Sequence, residues 1–398
     1  MSRHAYWLTT LLFAGLVLAK FDPHSGFASL LRFGDQSPAQ RLPAIRSLPL
    51  PTVANSAGYD GQFYAQVAID PLLRDPALTR ALDSPAYRAR RILAPATAAV
   101  VGLGQPWWTL QAYALLNVAC WFAFAWLLRG MIADAGWLGF ARWAGCVFSM
   151  GVLDSVRQSL VDLPALLLLL LAVRSQLQTN PAPASSGIME GPRLPAIALA
   201  KAGPRGPLLS CTWLSLAALT KETSLLGSLA LLFDPAATRA QPLRRIALFF
   251  LTALPLGLWS LYVASRFPPL TGSSGLGNFS FPLTGAFNQF TLSLRELAHG
   301  NLDGRYSFAV LALLGLPVQA AVLWRRPQPS SPWWRVGAAY SVLLLFLGAW
   351  VWSGYWAVCR AVLPLTIAFN LLLPANRAFW PLWIFGNLTL LHAVWRFL

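Results

Sequence analysis

Charged residues are scarce in this chain. Only 11% of its 398 residues are charged, whereas a soluble domain usually carries about 25%. The four cysteines (Cys120, Cys146, Cys211 and Cys359) lie in apolar segments without C-x-x-C spacing. This placement argues against a disulfide framework or a zinc site. The few histidines are scattered and have no metal-ligand spacing, so we predict no metal ligands.

Lysine is rare. The chain has only Lys20, Lys201 and Lys221, and its other basic residues are mostly arginine. The formal net charge is nevertheless +16. No basic tract is interleaved with aromatic residues in a soluble segment, so we do not expect a nucleic-acid partner. The cations stand mostly at the ends of apolar runs, where topology signals and contacts with lipid phosphates belong.

Apolar residues make up 56% of the chain, and the mean hydropathy is +0.54. Apolar runs separated by arginine-containing breaks recur from Ala5 to the C-terminus. A membrane span needs about 20 apolar residues. We therefore predict one all-α, polytopic membrane domain over residues 1–398, with roughly ten or eleven transmembrane helices. Ile92–Gly104 is too short to cross and is expected to lie at the interface.

The predicted helices are Ala5–Ala19, Trp107–Leu128, Phe140–Leu153, Leu160–Val173, Leu208–Phe233, Ile246–Ala264, Ser307–Trp324, Val336–Trp352, Ala357–Leu373 and Phe379–Phe397. Leu208–Phe233 is either one long span or two short helices with Lys221 and Glu222 between them. Arginine in the breaks favours a cytoplasmic N-terminus. Three polar segments follow: a first extracytoplasmic loop (20–91), a cytoplasmic linker (174–207) and a second extracytoplasmic loop (266–305). The tips at 154–162 and 353–360 then share the outer face.

The longest polar segment near the N-terminus contains the stretch Asn55–Pro71. Gly58 and Gly61 flank Tyr59-Asp60, so the backbone can turn there and leave the Asp60 carboxylate unobstructed. Tyr59, Gln62 and Tyr64 add an amide and ring faces, a plausible lining for a sugar site. Alternatively, Asp60 caps a helix that runs to Asp70.

Other polar residues of the predicted outer face are candidates for substrate binding. They are Arg88, Arg90 and Arg91 before the interfacial helix, Asp154, Arg157 and Asp162 at the second tip, Lys221 and Glu222 in or near the membrane, and Arg360. A buried charge in a membrane costs about 2.5–3.5 kcal/mol and marks a functional candidate. Each group also has a structural explanation: interfacial anchoring for the three arginines, an Asp154–Arg157 pair, a salt bridge that uses Lys221 and Glu222, and snorkelling of Arg360.

These groups can act in complementary ways. A carboxylate can accept the proton of an attacking hydroxyl group. Arginines at the membrane surface can bind the phosphate of a lipid-linked donor and stabilise its charge as it leaves. This division of labour suits glycosyl transfer from a polyprenyl-phosphate sugar. This transfer needs no cofactor besides the lipid-linked donor, and the sequence does not exclude a divalent metal.

The segment Tyr59-Asp-Gly-Gln-Phe-Tyr64 resembles the first-loop motif of bacterial proteins of the GT-C superfamily of membrane glycosyltransferases, specifically those that form cell-surface glycopolymers. Three further segments are similar: Arg90–Pro95, Thr220–Thr223 and Arg360–Pro364. The resemblance implies a GT-C-like fold, an inverting transferase of the bacterial inner membrane, and Asp60 as its catalytic carboxylate. Because position 62 is Gln, the motif lacks the second carboxylate of a D-x-D pattern.

We therefore expect a glycosyltransferase with an extracytoplasmic active site. Its substrates would be a polyprenyl-phosphate sugar and a glycan or lipid acceptor. A transporter or flippase of lipid-linked glycans is one alternative, and it predicts polar residues along a path through the bilayer. A non-catalytic partner in glycopolymer assembly is another, and it predicts tolerance of changes at Asp60.

Overall fold

The computed structural model describes residues 2–36, 38–179, 206–232, 242–267 and 276–398. Twenty α-helices account for most of these residues. They are α1 (Ser2–Leu18), α2 (Asp60–Ile69), α3 (Leu78–Ala81), α4 (Pro85–Ala89), α5 (Leu93–Val101), α6 (Pro106–Arg129), α7 (Gly136–Val147), α8 (Met150–Arg157), α9 (Asp162–Thr179), α10 (Gly206–Thr220), α11 (Leu225–Leu232), α12 (Pro242–Arg266), α13 (Thr284–Ala298), α14 (Gly304–Arg325), α15 (Pro332–Phe346), α16 (Ala349–Trp352), α17 (Tyr355–Ala361), α18 (Leu363–Leu372), α19 (Phe379–Gly386) and α20 (Leu390–Phe397). The predicted all-α class is confirmed.

Several helices are apolar enough to span a membrane. Within the described ranges, three also have the length: Pro106–Arg129, Leu243–Arg266 and Gly304–Arg325. A fourth candidate is the bent pair α17–α18, whose axes differ by 66°. These four match predicted spans, while the total of ten or eleven stays a prediction. The short helix expected within Ile92–Gly104 is present as α5, while its position at the interface stays a prediction.

Four predicted continuous helices are broken in the structure. The breaks separate α7 from α8, α15 from α16, α17 from α18, and α19 from α20. At the third break Pro364 lies in the first turn of α18, and proline disfavours helical geometry in the residue before it. Hydropathy alone does not reveal such breaks, because the apolar run continues through them. Between α10 and α11, Lys221 is extended and Glu222–Ser224 forms a 3-10 helix, so the option of two short helices is confirmed.

The first polar loop folds against the helices. It contains three 3-10 helices (Ala28–Leu31, Pro38–Gln40 and Pro43–Ile45) and two short parallel strands, β1 (Phe33–Gly34) and β2 (Thr52–Val53), which pair Phe33 with Thr52. Helix α2 then packs against α5 and α6. Its buried face includes Tyr64, Ala65 and Ala68, and burial of such side chains fixes the loop to the helices. One hydrophobic core reaches from Tyr6 in α1 to Phe397 in α20.

The second polar loop is partly helical, in contrast to the expected irregular segment. It contains α13 and a 3-10 helix at Leu276–Asn278. The segment before α13 pairs with the break after α15, where Ser280 N donates to Phe346 O at 2.9 Å and Gly348 N to Asn278 O at 2.7 Å. Residues 268–275 of this loop, and most of the predicted cytoplasmic linker (180–205), lie outside the described ranges.

A cluster of neutral polar side chains joins α14, α18 and the end of α19. We call Gln319, Thr366, Asn370 and Asn387 the amide network. Asn370 and Asn387 exchange two hydrogen bonds of 3.1 and 3.0 Å. Gln319 donates to Gly386 O at 2.7 Å and accepts from Thr366 at 2.9 Å. The adjoining cavity holds about 10 Å³, room for about one water.

Candidate functional site

The start of α2 is held by two close backbone approaches. Gly58 has φ +84°, a conformation that favours glycine, and Tyr59 N donates to Arg32 O at 3.0 Å. A Cβ at position 61 would collide with the carbonyl oxygen of Gln158 in the turn before α9. Asp60 begins the helix, and no side chain caps its N-terminus. The capping alternative for Asp60 is therefore wrong.

The Asp60 carboxylate faces Arg88 instead. Arg88 Nη2 lies 2.8 Å from Asp60 Oδ1 and 2.7 Å from Asp83 Oδ2. The same guanidinium donates to the Tyr64 hydroxyl at 3.3 Å. The Asp60 side chain keeps 29% of its surface exposed, although that of Arg88 keeps only 8%. Asp60 is thus fixed in position and still reachable from outside.

Arg91 links this loop to the break between α10 and α11. It forms a bidentate pair with Glu222, with both N–O distances at 2.8 Å. It also donates to Tyr64 at 2.7 Å and to the hydroxyl of Tyr87. Bidentate charge-assisted pairs have a defined geometry as well as strength. This contact therefore fixes the α4–α5 corner to the helix break.

The adjacent Lys221 points to a different partner. Lys221 Nζ lies 2.6 Å from Asp162 Oδ1. Arg360 reaches the same carboxylate at 3.5 Å, and its Nε lies 3.4 Å from Asp154 Oδ2. Arg360 also donates to the Tyr59 hydroxyl at 2.9 Å. The predicted salt bridge that uses Lys221 and Glu222 is present as two separate pairs.

We call these connected groups the ion-pair network. Its members are Tyr59, Asp60, Tyr64, Asp83, Arg88, Arg91, Asp154, Asp162, Lys221, Glu222 and Arg360. Ten of the thirteen candidate residues named from the sequence belong to it. Arg360 joins Tyr59 of the first loop to Lys221, whose Nζ donates to Arg360 O at 3.4 Å.

Three predicted site residues lie outside the network. Gln62 is buried, and its amide donates to Ala57 O and accepts from Gly34 N, so it holds the loop together. Arg90 is half-buried beside the Tyr87 ring, 5.7 Å from its centroid. Within the described ranges the Arg157 side chain has no hydrogen bond or ion pair, which contradicts the expected pair with Asp154. Asp154 instead accepts from Gln158 at 2.5 Å.

The electrostatics of the loop keep Asp60 ionised. Burial acts to raise the pKa of its carboxyl group, but Arg88 and then Arg360 outweigh burial and hold that pKa below its ordinary value. Burial raises the pKa of the Tyr64 phenol to about 12. At neutral pH Tyr64 is therefore a neutral acceptor shared by Arg88 and Arg91, while Asp60 is a carboxylate.

The arginines differ in how many of their N–H donors are already used. A guanidinium has five N–H donors. Arg88 and Arg91 each make four hydrogen bonds to protein groups. By contrast, Arg90 Nε and Arg360 Nε are buried and have no hydrogen-bond partner among the described residues. Arg90 and Arg360 are thus the better candidates for an anionic ligand, and Arg88 and Arg91 position their neighbours.

An apolar groove opens beside the α4–α5 corner. Its volume is about 480 Å³, and its lining includes Leu72, Ile92, Ala96, Val100, Leu103 and Trp259. Trp259 Nε1 donates to Ala89 O at 2.8 Å, next to Arg90 in the chain. Ligand pockets are typically about 300–1,000 Å³ and mostly apolar. The groove thus has the size and the apolar surface of a site for a hydrocarbon chain.

One member of the network, Asp83, and three residues beside it, Tyr87, Trp356 and Arg396, were not predicted. Trp356 donates to the Tyr59 hydroxyl at 2.7 Å, and Arg396 lies 3.5 Å from Asp154 Oδ1. Arg396 carries the signal used for Lys221, a single cation in an apolar run. Asp83 and Tyr87 have no comparable signal, because they lie in an already polar loop.

Within the described ranges, no group of three or more His, Cys, Asp or Glu side chains is arranged to hold a metal ion. Comparison of the chain with protein-family models, curated proteins and solved structures finds no match. The likeness to GT-C glycosyltransferases is therefore based on sequence motifs. The chemistry must be argued from the geometry of the site.

Proposed function

We propose that this protein is a membrane glycosyltransferase that transfers a sugar from a polyprenyl-phosphate donor to a cell-surface glycan or lipid acceptor. One observation carries the proposal. An ionised, partly exposed carboxylate, Asp60, is fixed by Arg88 in the same network as Arg360, while an apolar groove opens at the α4–α5 corner, where its Trp259 donates to Ala89 O. A carboxylate, available guanidinium groups and a lipid-sized groove are the three elements that such a transfer requires.

In this proposal the donor lipid occupies the groove and its phosphate lies near Arg90 and Arg360. The donor's chain would run along Ile92, Ala96 and Val100, away from the charged corner. A guanidinium with unused N–H donors gains charge-assisted hydrogen bonds on meeting a phosphate. Arg88 and Arg91 have few donors left, so their role is to hold Asp60, Tyr64 and Glu222 in place.

The transfer itself would be a single displacement at the anomeric carbon. The acceptor hydroxyl attacks that carbon, the bond to the phosphate oxygen breaks, and polyprenyl phosphate leaves with the bonding electron pair. Asp60 accepts the hydroxyl proton, and Arg90 and Arg360 stabilise the charge on the leaving phosphate. Positioned proton transfer contributes about 10²–10⁴-fold to rate.

The test is turnover in liposomes of a panel of radiolabelled polyprenyl-phosphate hexoses and pentoses, read as release of the free lipid phosphate. We expect Asp60→Asn to lower turnover by about 10²–10⁴-fold at matched expression. Asp70→Asn is the control, because Asp70 lies at the other end of α2 and accepts only a loop N–H, from Asp75 at 2.7 Å.

Equal turnover by Asp60→Asn and wild type would refute the catalytic assignment and favour a non-catalytic assembly partner. Movement of the intact lipid-linked sugar across the liposome membrane, without release of the lipid phosphate, would favour a flippase.

The proposed location is the bacterial inner membrane, with the N-terminus in the cytoplasm and the site on the extracytoplasmic face. A cysteine placed at Ser56 tests this orientation, since the four native cysteines are buried. We expect an impermeant maleimide to label Ser56→Cys from outside intact spheroplasts. Labelling only from the cytoplasmic side would reverse the orientation.

A further inference from the structure

A second group of cations lies at the other end of the ion-pair network. We call Arg32, Arg157 and Arg396 the second arginine cluster. They come from three separate segments: the residue after the first 3-10 helix, the last residue of α8, and the end of α20. The proposed mechanism uses none of them.

Contacts around Asp154 and Tyr59 bring these arginines together. Arg396 Nη1 lies 3.5 Å from Asp154 Oδ1, and its guanidinium lies 4.3 Å from the centroid of a Trp356 ring. Arg157 follows Asp154 by three residues on α8, so both lie on one face of that helix. The Arg32 carbonyl accepts the Tyr59 N–H at 3.0 Å, which places Arg32 beside the start of α2.

The cluster has more positive charge than its surroundings compensate. Within the described ranges Arg396 is the only one of the three that contacts a carboxylate, Asp154, which Arg360 also approaches at 3.4 Å. In the part of the chain that the structure describes, the side chains of Arg32 and Arg157 have no hydrogen bond or ion pair. Both are half-buried. A partly desolvated charge without a partner is unfavourable, so the arrangement is incomplete as it stands.

Repulsion within the cluster supports the same conclusion. Burial, then Arg32 and Arg396, lower the pKa of Arg157 to about 10. Burial and then Arg396 also lower the pKa of Arg32. Moreover, Arg396 Nη1 and Asp154 Oδ2 are buried without a hydrogen-bond partner. The ion pairs of Asp154 are therefore long contacts that leave donors available.

We propose that the second arginine cluster binds a phosphate group, and that this phosphate belongs to the acceptor. Three cations and one carboxylate leave an excess of two positive charges, which matches a phosphate monoester of charge about −1.5 to −2. The contacts Arg396–Trp356–Tyr59 connect the cluster to Asp60, and the lining of the apolar groove includes none of the three arginines of the cluster. Only the naming of the acceptor depends on the proposed transferase function.

The first experiment measures equilibrium binding of radiolabelled inorganic phosphate to the full-length protein in phosphatidylcholine nanodiscs. We expect saturable binding, weakened about tenfold by Arg157→Gln and by Arg32→Gln. Arg80→Gln is the matched control, since Arg80 is an exposed arginine of α3 that the site does not use. Absence of saturable binding, or equal affinity in Arg157→Gln and Arg80→Gln, would overturn the inference.

Thermal unfolding separates ligand binding from a structural role. Without phosphate, Arg157→Gln relieves repulsion and is expected to raise the unfolding midpoint by about 1–3 °C. Phosphate should then stabilise the wild type more than this variant. If Arg157 were structural, the variant would unfold earlier without phosphate, and the inference would fail.

A second arm identifies the source of the phosphate. Nanodiscs that also contain phosphatidic acid present a phosphate monoester at the membrane surface. Competition by this lipid indicates a membrane-anchored acceptor, and its absence indicates a soluble one; the site stands in both cases. Asp60→Asn should bind phosphate normally. If the protein binds phosphate but turns over no donor, the transferase proposal is rejected and the phosphate site stands.

Discussion

The ion-pair network and the amide network are both buried groups of polar side chains, but their contacts differ. The hydrogen bonds described for the amide network are 2.7–3.1 Å long, and its side-chain atoms all have partners within the described ranges. In the ion-pair network short contacts of 2.6–2.8 Å coexist with ion pairs of 3.4–3.5 Å. Arg360 Nε and Asp154 Oδ2 have no hydrogen bond.

This difference separates polar side chains that hold helices together from polar side chains that still have hydrogen-bond donors for a ligand. A network that is fully satisfied joins helices and has no donor left for a substrate. A network with buried, unused donors costs free energy in the empty protein, and a bound anion recovers it. On this basis we propose that the amide network connects helices and that the ion-pair network binds a ligand.

The largest expected effect on stability comes from Lys221→Met. This change removes the 2.6 Å partner of Asp162, whose side chain is only 8% exposed. Breaking a buried pair on one side costs about 3–5 kcal/mol. We expect a loss of that size in reversible unfolding by SDS. The double variant Lys221→Met/Asp162→Asn should recover most of it, and an equally destabilised double variant would contradict the pairing.

A smaller loss is expected in the amide network. Asn387→Leu removes one half of the reciprocal pair and leaves Asn370 incompletely bonded, at a cost of about 1–3 kcal/mol. Because the proposed mechanism does not use this network, donor turnover per folded molecule should not change. If turnover fell along with the unfolding free energy, the functional distinction between the two networks would be lost.

The pH profile of turnover offers a third comparison. Arg88 holds the pKa of Asp60 below its ordinary value, so wild-type Asp60 stays ionised down to acidic pH. In Arg88→Met, burial raises that pKa, so the carboxylate is protonated and turnover is lost at a higher pH than in wild type. Rates measured from pH 4 to 8 test this shift. Asp83→Asn keeps the Arg88–Asp60 pair. In this control variant, the pH at which turnover falls on the acidic side of the profile should stay closer to that of the wild type.

The smallest effect is expected from Tyr59→Phe. The change removes the hydroxyl that accepts from Arg360 at 2.9 Å and from Trp356 at 2.7 Å. Loss of these bonds should cost about 0.5–1.5 kcal/mol of stability and a few-fold in donor turnover. A turnover loss as large as that of Asp60→Asn would instead place the phenol among the reacting groups.

Much of the site could be predicted because isolated charges in apolar sequence are costly. Lys221, Glu222 and Arg360 stood out for that reason. Glu222 and Arg360 contact the loop that carries Asp60, and Lys221 contacts Arg360. Their partners could not be read from the sequence. Lys221 and Glu222 are adjacent, yet one pairs with Asp162 and the other with Arg91, since neighbouring residues at a helix break point in different directions.

The fold was predictable in class but less so in detail. Long apolar runs identified α6, α12 and α14, because length and hydropathy define a span. The breaks at Ser149, Gly348 and Val362 escaped detection, since apolar residues flank each of them. Gln62 was misread for a similar reason: its amide hydrogen-bonds with the backbone of Gly34 and Ala57, a long-range pairing that no local pattern reveals.

The position of Arg360, just before the bend between α17 and α18, affects when the contacts of Asp154 can form during translation. Arg360 precedes that bend and Arg396 lies near the C-terminus, yet both pair with Asp154, which the ribosome delivers much earlier. At roughly 5–20 residues per second, the intervening two hundred residues take on the order of 10–40 s. During that interval the Asp154 carboxylate of the nascent chain has neither Arg360 nor Arg396 as a partner. A chain truncated before Arg360 would therefore lack both ion pairs of Asp154, and its ion-pair network would be incomplete.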